Sequence, residues 1–469
     1  MAKYQQLVAR LRQQIEAAVW SPGEKLPSLR EQATRAGMSL MTVMHAYQVL
    51  ESQGYIQSRP QSGYYVANRR ADASPQARRP EPHYSEAVDI NAFIFEVLQA
   101  CRDPQIVPFG SAFPDPGLLP QRQLLRALNR VSREMRPEDV LNNLPPGNLA
   151  LRQTLSRRYA RQGITVPAGE IVITNGALEA LNLSLQAVTE PGDWVVIEHP
   201  CFYGAWQAIE RLRLKAVAVA SDPREGIDLD ELARVLATRP VKACWLMTSQ
   251  QNPLGCTLSA DKKRALVALL SAHRVRLIED DVYSELWHGE APPLPARAYD
   301  REGTVLHCSS FSKSLVAGFR VGWVAAGPEA PRIQRLQFSS TLSTSAPLQQ
   351  ALAHYLESRG FESHLRRLRE TLAQRKCAAL QALRRHLPPA VTLHDAPGGY
   401  FLWLTLPPRC DALALYNQAL TQQISLAPGR MFSPDPRYHS GFRLNVSRAW
   451  DARSEAAAAT LGALIRAML

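Results

Sequence analysis

The chain has 469 residues, 46% of them apolar and 20% charged, an ordinary globular composition that excludes a wholly disordered or collagen-like protein. At roughly 150 residues per domain, this length predicts about three compact lobes. Its 54 Lys and Arg outnumber 42 Asp and Glu, and the net charge of +12 points to an anionic partner without naming it. No apolar run reaches the ~18 residues of a membrane-spanning helix, so no membrane association is expected. Met1-Ala2-Lys3-Tyr4-Gln5-Gln6 lacks the apolar stretch of a signal peptide. Seven cysteines with no Cys-x-x-Cys pair argue against a disulfide framework and a structural zinc site. A reducing, cytoplasmic setting and no metal site are expected.

Leu7, Leu11, Ile15 and Val19 mark one face of a first helix, ended by Trp20-Ser21-Pro22-Gly23. Ser28-Leu29-Arg30-Glu31 has the spacing of a capping box and opens a second helix, which Gly37 breaks. Ser39 caps a third, from about Leu40 to Gln53, stopped by Gly54. Tyr55–Arg59, a turn at Pro60–Gly63 and Tyr64–Val66 read as a hairpin. This is the order of a winged helix-turn-helix over residues 1–68, whose third helix would enter the major groove. A small helical cap without a nucleic-acid partner has the same spacing.

Pro22-Gly23-Glu24-Lys25-Leu26-Pro27-Ser28-Leu29-Arg30 resembles the opening of the GntR family of bacterial repressors. Thr42-Val43, Ala46-Tyr47, Leu50, Gly54-Tyr55-Ile56 and Ser62-Gly63-Tyr64 continue the pattern. The resemblance implies contacts to double-stranded DNA from Arg30, from the start of the third helix and from the wing near Gly63. Many members carry arginines where Leu40 and Met44 stand here, and no Lys or Arg occurs from Ser39 to Gln53. The readers left are Ser39, Thr42 and His45, with Met41 able to touch a thymine methyl. Arg30 and Arg59 would then anchor phosphates. A purely capping Ser39 and a surface-packed Met41 remain open.

Half of the net charge, +6, lies in residues 1–80, and half of that in Arg69–Pro80. Arg69, Arg70, Arg78 and Arg79, with prolines at 75, 80 and 82, make residues 69–87 an extended Arg/Pro-rich linker. It either brushes phosphates or is a solvated tether.

From about residue 88 short apolar strands alternate with helical stretches: Ile171–Thr174, Trp194–Ile197, Ala243–Met247, Val275–Ile278 and Val305–Cys308. That alternation predicts an α/β region around a largely parallel sheet. Helices dominate after about residue 345, with strands such as Tyr400–Leu404, which predicts a smaller α+β lobe over 345–469. Four patterns stand out in order: Thr174-Asn175-Gly176-Ala177, Asn252-Pro253-Leu254-Gly255, Asp280-Asp281-Val282-Tyr283 and Ser310-Phe311-Ser312-Lys313, the last followed by Arg320. Each alone reads as a turn, a surface acidic cluster or a surface lysine.

Together with Arg443-Leu444-Asn445 they resemble the fold-type I pyridoxal-phosphate aminotransferases. The resemblance implies that Lys313 condenses with the cofactor's aldehyde. Asp280 would keep the pyridine nitrogen protonated. Asn252 and Tyr283 are implied at the phenolic oxygen, and Phe202 on the ring face. Ser310, Ser312, Arg320 and the Gly176–Ala177 amides would hold the phosphate. Arg443 would take an amino-acid carboxylate. A tyrosine common among relatives is replaced by Asn142, five residues before Gly147.

A GntR-type reader joined to such a domain resembles the MocR subfamily of transcriptional regulators. This implies a homodimer whose effector is pyridoxal phosphate or its adduct with an amino acid or amine. The alternative is a working aminotransferase, capable at least of the half-reaction, that carries a DNA-binding head.

Overall fold

The computed structural model describes residues 3–60, 62–67, 90–139 and 144–469. The chain forms two compact units, residues 1–87 and 88–469. The expected linker at 69–87 and Asn142 lie outside the described residues.

The first unit contains α1 (Lys3–Glu16), α2 (Leu29–Ala36), α3 (Leu40–Ser52) and an antiparallel hairpin of β1 (Ile56–Arg59) and β2 (Gly63–Val66). Leu7, Val8 and Leu11 of α1 are buried. The helix ends at Glu16, short of the expected Val19. Ala18 takes a left-handed φ of 56°, and Val19 is 62% exposed. Apolar spacing runs on into a turn here, where the Trp20 indole donates to Gln14 Oε1 at 3.3 Å. Ser28 caps α2, its Oγ accepting from the Glu31 N–H. Gly37 closes α2 at φ 60°, a conformation that costs glycine nothing because it lacks a Cβ. Val43, Ala46, Tyr47 and Leu50 of α3 pack with Leu7, Leu11, Leu26, Ile56 and Val66. The Tyr47 hydroxyl, at the edge of this core, donates to Pro27 O at 2.9 Å, so it is not left unpaired.

The second unit is built on an eight-stranded sheet. Its first described strand, β3 (Val107–Pro108), stands apart from that sheet. The large sheet comprises β4 (Ile171–Thr174), β5 (Trp194–His199), β6 (Lys215–Asp222), β7 (Gly226–Ile227), β8 (Val241–Leu246), β9 (Arg276–Asp280), β10 (Val305–Ser310) and β11 (Gly322–Ala325). Their order is β4-β11-β10-β9-β8-β5-β6-β7. The pairs β10/β9, β9/β8, β8/β5 and β5/β6 are parallel; β11 runs antiparallel to both its neighbours. Every residue of β4, β10 and β11 is buried, the pattern of a sheet covered on both faces. Helices Ala177–Val188, Tyr203–Arg211 and Ala330–Ser340 contribute to one apolar cluster. Helices Leu229–Thr238 and Ala260–Ala272 contribute to another.

The smaller sheet has the order β12 (Thr392–His394), β13 (Phe401–Thr405), β16 (Gly441–Asn445), β15 (Ala427–Pro428), all antiparallel. β14 (Ile424–Ser425) pairs with β3. The core packed here also takes in Ile94, Val97, Val107 and Phe109. The lobe expected from residue 345 onward therefore recruits the beginning of the same unit. Those residues lie more than two hundred positions away in sequence, so local pattern carried no sign of it.

Candidate functional site

The carboxyl ends of β4, β5, β8, β9 and β10 converge, and the loops that leave them carry the expected residues. In open α/β sheets this edge is where ligands bind. Gly176 and Ala177 follow β4 and open the helix Ala177–Val188, whose first amide groups have no partner within the helix. Gly176 has φ 87°, and a Cβ there would lie 2.5 Å from Arg320 Nη2. Arg320 itself sits at a left-handed φ of 49° and donates to Ser312 Oγ at 3.3 Å. The Ser312 amide in turn reaches Ser310 Oγ at 3.4 Å. Gly322 completes the cradle, since a Cβ on it would stand 2.7 Å from the Ala177 nitrogen. Hydroxyls, a guanidinium and helix-start amides drawn together here form a donor set matched to a phosphate.

Asp280 ends β9 and is 2% exposed, with no hydrogen-bond partner for its Oδ1. Burial, with the neighbouring Asp281 adding to it, pushes its pKa up to about 7, although Lys313 pulls the other way. The Trp245 indole and the Val282 amide also favour its ionised form, and a cationic N–H donor would add the charge compensation that a buried carboxylate needs. Lys313 follows β10. Its Nζ donates to Ala112 O at 2.8 Å and lies 4.3 Å from the centre of the Phe113 ring and 5.6 Å from that of Tyr283. Burial and the positive charge of Arg443 lower its pKa to about 7, against the pull of Asp280. A substantial fraction of the amine is therefore neutral, and so nucleophilic, near neutral pH.

Arg443 lies on β16 and is fully buried. Its guanidinium donates to Asn252 Oδ1 at 2.6 Å and to Gly110 O at 2.8 Å. It stacks 4.3 Å from the centre of the Phe401 ring, and its Nε has no partner. Among the described residues no carboxylate pairs with it. An isolated buried cation is costly, so this arrangement is one that an anionic ligand would complete. Tyr283 is buried in edge contact with Tyr400 and Phe401. Phe202 packs against the same cluster. The expected Lys313, Asp280, Tyr283, Asn252, Arg443 and Phe202 are thus drawn around one region, with Ser310, Ser312, Arg320, Gly176 and Ala177 forming the cradle beside it.

Sequence reasoning missed the segment Gly110–Phe113, which supplies two carbonyls and a ring to the site. Asn445 pins this segment by donating to Ser111 O at 2.9 Å and Phe113 O at 2.7 Å. Its place two residues after Arg443 was the only signal. A buried chain behind Asp280 was also missed. His307 Nε2 lies 2.8 Å from Asp281 Oδ2, and its Nδ1 lies 2.6 Å from the Tyr159 hydroxyl.

In the first unit, Ser39, Met41, Thr42 and His45 share the start of α3. Ser39 caps it, accepting from the Thr42 N–H at 3.2 Å. Met41 is exposed, and His45 rests against the Tyr4 ring with centroids 4.4 Å apart. Arg30 is exposed in the first turn of α2. Arg59 stacks over Tyr65 at 4.2 Å on the hairpin, directly across from Gly63. Gly63 has φ 109°, and a Cβ there would meet Lys25 Cε at 3.3 Å.

Residues 3–66 match the family of bacterial regulatory proteins of the gntR type, and residues 119–461 match aminotransferase class I and II. The chain is 60% identical to the uncharacterized HTH-type transcriptional regulator YdcR of Escherichia coli K12, over 100% of both chains. It is 33% identical to the HTH-type regulator YjiR of the same organism, over 95% of each. The structure of Pyrococcus horikoshii kynurenine aminotransferase in complex with PMP superposes with a TM-score of 0.75, at 26% identity, covering 82% of this chain and 96% of that one. The chain belongs to the aminotransferase class I and II family and carries a GntR head, the combination that defines the MocR subfamily of GntR-type transcriptional regulators.

Proposed function

We propose that the protein is a DNA-binding transcriptional regulator controlled by the occupancy of its pyridoxal-phosphate site. The single observation that carries this reading is Arg443: a fully buried guanidinium without a carboxylate partner among the described residues, in a chain that also carries a GntR head. Pyridoxal phosphate is the cofactor. It supplies an aldehyde and an electron-withdrawing ring to which an amino group can be joined.

The chain's own residues divide the work. Ser310, Ser312, Arg320 and the Gly176–Ala177 amides hold the phosphate. Asp280 holds the proton on the ring nitrogen. Asn252 and Tyr283 would bind the ring oxygen, and Phe202 would pack on the ring. Lys313 offers its neutral amine near pH 7. Arg443 binds the carboxylate of an incoming amino acid, which makes an amino acid the favoured effector over a simple amine.

Fold-type I domains pair as homodimers, and Phe338, Leu342 and Leu178 give this unit an exposed apolar surface of the kind such pairing covers. A cytoplasmic location accords with seven free cysteines, and among the described residues no helix is long and apolar enough to cross a membrane. An effector can shift DNA binding only by favouring one arrangement of the heads over another.

Purified protein titrated with pyridoxal phosphate should gain a visible absorbance band that is absent in Lys313→Ala. A panel of amino acids should then change that band and the affinity for DNA. Failure to take up the cofactor would sink the reading. The retained Lys313, Asp280 and Arg443 also favour a second reading, an aminotransferase with a DNA-binding head. Sustained turnover of an amino acid and a 2-oxo acid would select it, whereas a single half-reaction would not.

A further inference from the structure

The start of α3 presents apolar side chains to solvent. Met41, 67% exposed, lies on the face of the helix opposite buried Val43, Ala46, Tyr47 and Leu50, and Leu40, 45% exposed, opens the helix at the edge of that buried face. Of the polar candidates beside them, Ser39 and Thr42 bond to one another, while His45 is exposed. Ser39 Oγ accepts from the Thr42 amide, and the Ser39 and Thr42 hydroxyls lie 2.7 Å apart in a hydrogen bond. His45 is packed in edge contact with Tyr4. The first turn of α3 carries no acidic residue, and Arg30 and Arg59, both exposed, stand on the neighbouring α2 and on the hairpin. An apolar helix start, in a head that also exposes the cations Arg30 and Arg59, fits a surface that is anionic at its edges and carries apolar groups in its floor. In the DNA major groove, the only apolar group among the base edges is the thymine 5-methyl.

We propose that Leu40 and Met41 are the specificity-determining residues of the head, and that they read thymine methyl groups in the major groove. The proposal rests on the head's being a DNA reader and adds what it reads. Arg30 and Arg59 supply phosphate attraction that is blind to sequence. The unbranched, polarisable Met41 side chain adapts to a methyl, and Leu40 supplies a branched contact beside it. Discrimination against cytosine, which has no 5-methyl, follows without an arginine in the helix.

The test uses the full chain and a pool of random-sequence duplexes. Protein-bound duplexes are enriched, and each thymine of the preferred sequence is then replaced singly by deoxyuridine, which removes only the methyl. At one or two positions per half-site affinity should fall about fourfold, the worth of one buried methyl. Met41→Ala and Leu40→Ala should each reduce that sensitivity; both sites are solvent-exposed, so the head should fold as before, which circular dichroism checks. A sequence-selective protein that is indifferent to deoxyuridine everywhere would overturn the methyl reading and leave DNA binding intact. A Met41→Ala variant whose oligomeric state changes in light scattering would also overturn it, because the helix start would then cover protein. If no sequence is enriched at all, the underlying assignment of the head as a reader fails instead.

Discussion

The two units differ in whether they bury charge. The large unit buries charge: Arg443 and Asp280 are buried and Lys313 is half-buried, with polar atoms left unpaired on the first two. Among its described residues the head buries no charged side chain, and it holds Leu40 and Met41 out in solvent. Charge inside and apolar surface outside are the informative exceptions in a folded chain. Each marks the ligand that would relieve it, an anionic cofactor and amino acid in one case and a methyl-bearing groove in the other. The stability of each unit comes from elsewhere, in the apolar clusters beneath.

Lys313→Ala should have the largest effect, removing the visible band altogether and weakening cofactor retention by 100-fold or more, on the order of 3 kcal/mol for a missing covalent anchor. A variant that kept the band would move the chemistry to another lysine. Next is Arg443→Ala. Removing a charge-assisted hydrogen bond worth about 2–3 kcal/mol should raise the amino-acid concentration needed for a spectral response about 30- to 160-fold. Uptake of the cofactor alone should change far less, which separates carboxylate binding from cofactor binding.

The pH dependence sharpens the same contrast. The folded pKa of Asp280 is raised to about 7, so the cofactor-free protein is stabilised by its proton below the unfolded value and loses that contribution as pH rises through about 7. Asp280→Asn removes the titration. The cofactor-free variant should therefore gain on the order of 1–3 kcal/mol over wild type between pH 5 and 8 in denaturant unfolding, and the loaded one should not. Equal pH profiles would show that Asp280 is already ionised in the empty site. Gly176→Ala places a Cβ 2.5 Å from Arg320 Nη2 at a φ of 87°. It should cost about tenfold in cofactor affinity by displacing the guanidinium. The smallest effect belongs to the linker: neutralising Arg69, Arg70, Arg78 and Arg79 should lower the salt slope of DNA binding, by at most about 0.9 for each phosphate no longer neutralised, without altering sequence preference.

Much of this organisation was legible in the sequence, and the part that was not has a physical reason. Capping residues, glycines and strand runs act locally, so Ser28, Gly37, Ser39 and the strand ends could be placed from short windows. Lys313, Asp280 and Arg443 were legible as candidates through the resemblance to the fold-type I aminotransferases, which carry those residue types in that order. Gly110 and Ala112 act through carbonyl oxygens, which every residue has, and they reach Arg443 and Lys313 across 333 and 201 positions. No side-chain pattern can announce such contacts. Val19 shows the opposite failure, an apolar spacing that outruns its helix when the backbone turns left-handed at Ala18.

Communication between the two units is tested most directly by DNA affinity. The full chain is titrated with its enriched duplex at fixed salt, first without cofactor, then with pyridoxal phosphate, then with cofactor and each amino acid in turn. A regulator governed by its cofactor site requires a change of about 5- to 150-fold for at least one of these ligands, the usual range for coupled sites, and none in Lys313→Ala. One affinity under every condition, in a protein whose absorbance shows the site to be filled, would contradict it.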